Sequence, residues 1–139
     1  MEKDMSLLYR VIRNKLDNTY KNVFNQNMRE DKPGDVGIYL YESSNDSYDL
    51  CGDDVYNCIK VQLQVNAGPS AEELETALLF LSHFVDRIEN EQSDIENISI
   101  ISAQHIGPRA IPIGKNDFNI TVCKSTVDLK YIFNNINVE

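Results

Sequence analysis

Hydrophobic and polar positions along this chain change period several times, and each change predicts an element. Over residues 5–24, Leu8, Ile12, Leu16 and Tyr20 recur every four positions, with Val11, Val23 and Phe24 widening the stripe. That spacing predicts one amphipathic helix, ended before the breaker pair Pro33-Gly34. Residues 37–41 (Gly-Ile-Tyr-Leu-Tyr) are short and rich in β-forming types, the mark of a strand. From Glu42 to Tyr56 the periodicity lapses among Ser, Asn, Asp and Gly, which predicts a long loop. Across 58–66, Ile59, Val61, Leu63 and Val65 alternate with Lys60, Gln62, Gln64 and Asn66, so one strand face is apolar and the other wet. This is the pattern of a sheet covered by helices on one side only.

Ala67-Gly68-Pro69 ends that strand, and Ser70 with Glu73 forms a capping box. In a capping box the hydroxyl and the carboxylate each take a free backbone N–H at a helix start. Leu74, Ala77, Leu78, Leu81, Phe84, Val85 and Ile88 then give a broad apolar face, predicting a helix over about 70–91. Leu79 and Phe80 extend the apolar arc further, which fits either a second core contact or a subunit interface. Residues 98–102 read as a strand, and Gly107-Pro108 breaks the chain soon after. Alternation returns as Phe118, Ile120 and Val122, then changes parity to Val127, Leu129, Tyr131 and Phe133. The change predicts a bulge or tight connection near Lys124–Thr126, in one bent strand or two short ones. The order α-β-β-α-β-β predicts a single α+β domain over residues 1–139. Its sheet is antiparallel-dominated, with four to five strands packed against two helices.

Charge changes the picture locally. The chain holds 22 acidic and 13 basic residues, a net charge of −9, which disfavours binding to a phosphate backbone. Residues 35–58 contain Asp35, Glu42, Asp46, Asp49, Asp53 and Asp54 with no base, and 70–97 carry acids against Arg87 alone. Such blocks fit a solvated surface, or a patch that repels nucleic acid or meets a basic partner. No apolar run reaches the roughly 18 residues of a membrane span, and the amino terminus lacks a signal peptide's apolar core. A soluble chain, cytoplasmic at synthesis, is expected.

Candidate chemistry is sparse. His83 lies within the second helix, and His105 precedes a turn with no Ser, Cys or Asp at a diagnostic spacing. Cys51, Cys58 and Cys123 are odd in number, and Cys51 and Cys58 match no zinc spacing. Gly114-Lys115 lacks the preceding glycine of a phosphate loop. Asn45, Ser47, Asp49, Asp53 and Asp54 offer oxygens for calcium but lack the EF-hand order. No enzyme, metal or cofactor is expected.

Four features together resemble the tail-terminator proteins of long, non-contractile-tailed bacteriophages, some of them minor capsid proteins of phages infecting Gram-positive bacteria. A first amphipathic helix leads to the 37–41 strand. An irregular loop then enters the Val-Gln strand at 59–65, and the helix of residues 71–90 follows at once. Last come a proline-containing turn at 104–114, the Asp117 region and a long final strand. The likeness covers about residues 5–133. It implies a structural virion protein that caps the tail tube, ends its polymerisation and joins tail to head. Its implied partners are the tail tube protein, a head–tail connector protein and further copies of itself in a hexameric ring. DNA would pass through that ring without specific binding, and no membrane or cofactor is involved. The implied location is the virion tail, and the host cytoplasm during assembly. The alternative is another head–tail or baseplate adaptor without catalysis.

The expected assembly surface follows from length and composition. The 42–56 loop exceeds what joins two neighbouring strands, and it sets Tyr48, Leu50 and Tyr56 among Glu42, Asp46, Asp49, Asp53 and Asp54. Leu79 and Phe80 are the second candidate surface.

Overall fold

The computed structural model describes residues 2–42, 57–90 and 98–133. In chain order they form α1 (Glu2–Arg13), β1 (Asn22–Asn25), β2 (Asp35–Glu42) and β3 (Asn57–Gly68). Then follow α2 (Ala71–Asn90), β4 (Ile98–His105), β5 (Ile111–Lys115) and β6 (Thr121–Phe133). The class is α+β, with two helices and a mostly antiparallel sheet. The sheet has six strands rather than four or five, in the order β1-β2-β3-β6-β4 with β5 also beside β6. Residues 127–133 of β6 pair with β4 and residues 121–124 with β5, so β4 and β5 lie end to end along one side of β6.

The two additional strands correct the reading of the pattern for physical reasons. The first helix stops at Arg13, not near residue 24. The N–H groups of Lys15 and Leu16 bond only three residues back, to the carbonyls of Ile12 and Arg13, which tightens the chain out of the helix. Asp17 then accepts the Thr19 N–H at 2.9 Å, an Asx turn that competes with helix. Leu16 and Tyr20 still pack on the core, but from irregular chain. Val23 and Phe24 belong to β1, which runs parallel to β2. Gln26 (φ 66) and Asn27 (φ 51) adopt left-handed backbone just after β1, where the chain turns back towards β2. The other strand, β5, is an edge strand with scarcely a buried position, and its Pro112 and Gly114 obscure any β pattern.

The 59–65 alternation is as expected. Ile59, Val61, Leu63 and Val65 are buried, while Cys58, Lys60, Gln62 and Gln64 are half-buried on the other face. Helix α2 presents Ala77, Phe80, Leu81, Phe84, Val85 and Ile88 to the core, with Leu74 and Leu78 partly buried beside them. Its capping box is formed: the Glu73 carboxylate accepts the Ser70 N–H at 3.0 Å, and the Ser70 hydroxyl accepts the Glu73 N–H at 3.1 Å. Gly68, at φ 124, sits under this cap, where a Cβ would lie 2.6 Å from the Glu73 carboxylate.

The expected parity change near 124–126 does not occur. Cys123, Ser125, Val127, Leu129 and Tyr131 face the core without interruption along one continuous strand. Polar Ser125 hides that phase in the sequence, whereas Phe118 is exposed and Val122 belongs to the opposite face. The irregularities lie on the partners, between Asn66 and Gly68 on β3, between Ile100 and Ser102 on β4 and between Pro112 and Gly114 on β5. One core cluster joins the apolar faces of both helices to the inward strand positions. Both helices therefore cover the same side of the sheet.

Candidate assembly interface

Register determines what the other side displays. Tyr41 lies opposite Lys60, and Lys60 in turn opposite Asp128. Gln62 lies opposite Thr126, and Gln64 opposite Lys124. With Tyr39 and Lys130 these side chains form a half-exposed polar surface that neither described helix covers. At one end, the 28–30 segment and the β5–β6 turn rise above it to enclose a cleft of about 430 Å3. Arg29, Glu30, Tyr39, Gln64, Lys115 and Asp117 contribute to its lining.

The cleft wall is built from polar groups that the sheet buries. Asn66 interrupts the alternation at the end of β3 and is almost wholly buried. Its side-chain amide donates to the carbonyls of Arg29 at 2.6 Å and Lys32 at 3.0 Å, pinning the incoming segment to the sheet. Asp35 is buried too, and the Arg29 guanidinium donates to both of its oxygens at 2.8 and 2.9 Å. That hydrogen-bonded pairing with Asp35 raises the Arg29 pKa further. Asp35 thus belongs to an internal ion pair rather than to an acidic surface patch. On the opposite wall, the Asn116 side chain accepts the N–H groups of Phe118 and Ile120 and donates to the Glu30 carbonyl at 2.8 Å. One asparagine so shapes the β5–β6 turn and ties it to the first wall. At Gly37 a Cβ would stand 2.6 Å from the Tyr39 ring and 2.8 Å from the Met28 sulfur, so glycine leaves room for both on the sheet. Burial pushes the Tyr39 phenol above its ordinary pKa, against a hydrogen bond with the Met28 backbone.

A second polar cluster closes the corner between α2 and the β4–β5 edge. His105 places its ring Nδ1 2.8 Å from Glu89 and donates its backbone N–H to the same oxygen at 3.0 Å. The Arg109 guanidinium pairs with Asp86 and lies 3.7 Å from Glu89. Burial acts to raise the Glu89 carboxyl, but the His105 hydrogen bonds and ring charge together hold it below its ordinary value. This arrangement braces the last turns of α2 against the strand edge. His83, by contrast, is exposed, 3.4 Å from Asp17.

Of the expected interface residues, Glu42 ends β2, while Asp46, Tyr48, Asp49, Leu50, Asp53, Asp54 and Tyr56 lie outside the described residues. The calcium reading at 45–54 lies outside them as well. Leu79 is 54% exposed on the solvent side of α2. Phe80 is only 2% exposed and meets Tyr20 edge to face at a centroid distance of 4.9 Å, so it is a core residue and presents no surface. The further exposed apolar side chains Ile113 (49%) and Phe118 (55%) flank the β5–β6 turn. Cys58 is half-buried and Cys123 buried, its thiol pushed up to about 11 by burial. Among the described residues no group of three or more His, Cys, Asp or Glu side chains is placed to hold a metal.

Sequence reasoning missed Asn66, the Arg29–Asp35 pair and the His105–Glu89 pair. Asn66 left no signal, since alternation assigns it to the wet face although the chain is buried continuously from Val65 to Gly68. The two ion pairs join residues from separate elements, and no spacing announces them. No protein-family model matches the chain, and no curated protein matches it.

Proposed function

We propose that this chain is a non-catalytic structural protein of a phage tail, one that caps the tail tube, ends its growth and joins it to the head as a ring. The reading starts from the likeness of residues 5–133 to tail terminators. The observation that carries it furthest is the uncovered sheet face, with Leu79, Ile113 and Phe118 exposed around the molecule. Large apolar side chains set in polar surroundings on several sides suit a subunit with more than one neighbour. The tail tube protein and the head connector are the partners of this reading, and DNA is passed rather than bound.

Polymerising tail tube protein, with and without the purified chain, tests it. Added chain should shorten the tubes and sit at their ends in electron micrographs. Tubes of unchanged length carrying no end density would refute the capping role. The cleft beside Tyr39 favours the adaptor reading, in which a short segment of another virion protein occupies it and tube length does not respond.

A further inference from the structure

We infer that the uncovered sheet face receives the solvent face of α2 from a second copy of the chain, head to tail, an inference that rests on the ring reading above. The two surfaces lie on opposite sides of the sheet. The contact is therefore heterologous, and each copy keeps one surface of each kind for its neighbours.

Charge complementarity selects the pair. The central strands of the uncovered face carry Lys60, Lys124 and Lys130 against Asp128, in a chain whose net charge is −9. Helix α2 carries Glu72, Glu73, Glu75, Asp86 and Glu89 against Arg87. Glu72, Glu75 and Asp86 are exposed and flank Leu79 along the outer side of the helix. Spacing agrees with charge. Lys124 and Lys130 are six positions apart on β6, a span of about 20 Å. Glu72 and Asp86 are fourteen positions apart on α2, a span of about 21 Å. A helix laid along β6 thus sets a carboxylate at each of these lysines, with Leu79 between them over Thr126 and Gln62. Arg109 already shares Asp86, which makes the Glu72–Glu75 end the stronger attachment. Nucleic acid is the other acidic occupant, but the net charge and the carboxylates of α2 repel a phosphate backbone. A lysine face turned to a passing genome would also retard it, so in a ring these lysines belong at a protein contact.

Sedimentation of the full chain at low salt, up to about 1 mM, tests the contact. The wild type should associate with rising concentration. Lys124→Glu with Lys130→Glu should weaken association roughly tenfold or more, as should Glu72→Lys with Asp86→Lys. Combining all four changes in one chain, or mixing the two double variants, should restore it. Circular dichroism and melting curves verify that each variant is folded. A wild type that stays monomeric throughout overturns the inference. So does a failure of both the fourfold variant and the mixture to associate. Single-stranded oligonucleotide binding that the two lysine changes abolish, without any self-association, reassigns the face to nucleic acid. Association that obeys the charge swap while tube length ignores the chain keeps this contact and removes the tail reading, so the two failures are distinct.

Discussion

At the residue scale, the polar groups that the sheet buries matter more than the exposed charges that dominate the composition. Asn66 occupies a position that strict alternation assigns to solvent, yet it is enclosed and its side-chain N–H groups donate to two carbonyls. Asn66→Leu keeps the branched shape but removes both hydrogen bonds, leaving the Lys32 carbonyl only the Asp35 N–H at 3.4 Å, so it should cost about 1–3 kcal/mol in urea denaturation. A loss under about 0.5 kcal/mol, typical of surface changes, would mean that the Arg29 and Lys32 carbonyls are satisfied elsewhere. Asp35 makes the same point in another way. Read along the chain it is the first acid of an unneutralised block, but in space it is the partner of Arg29, six residues earlier. Charge counted along the sequence therefore overstated the acidity of that surface. The exposed Leu79 beside the buried Phe80 shows how adjacent helical positions part company, since a turn of about 100° per residue separates solvent from core.

At the element scale, what was legible was what has a clean period and a local stop signal. β3 and α2 are the clearest cases: one has strict alternation ended by Gly68-Pro69, the other a capping box and a wide apolar arc. The end of α1 was not legible, because Leu16 and Tyr20 keep helical spacing while an Asx turn at Asp17 takes the backbone elsewhere. β6 was legible as extended chain but not as one strand nor in phase, because Cys123 and Ser125 carry the inward face with small side chains. Of the candidate interface residues among those described, Leu79 is exposed and Phe80 is buried against Tyr20, a contrast that the shared apolar run did not reveal.

The corner between α2 and the β4–β5 edge carries its own pH dependence. Glu89 has a depressed folded-state pKa, so its contribution is present above the ordinary carboxylate range and is lost as pH falls through the folded value. Glu89→Gln still accepts the His105 N–H but removes the charge. It should cost about 1 kcal/mol near neutral pH, a figure kept small by the site's partial exposure. The gap between wild type and variant should close as pH falls below the ordinary carboxylate range, which urea melts at several pH values would register. A gap that stays constant across that range would mean that the carboxylate charge contributes nothing to the brace.

At the scale of the whole molecule, the arrangement is two helices on one side of a six-stranded sheet and nothing described on the other. The edges carry their own guards against indiscriminate pairing: register slips on β4 and β5, and Pro112 on β5. These devices disfavour edge-to-edge pairing at that side of the sheet. The lysines of the bare face and the carboxylates of α2 give those faces opposite sign, and Ile113 and Phe118 are exposed apolar side chains at the β5–β6 turn. The most direct test of the central claim is the length distribution of tails assembled in cells with and without this chain, measured by electron microscopy. Tails of uniform length joined to heads are expected when the chain is present, and overlong, headless tails when it is absent. Tails of normal length bearing heads in its absence would contradict the claim.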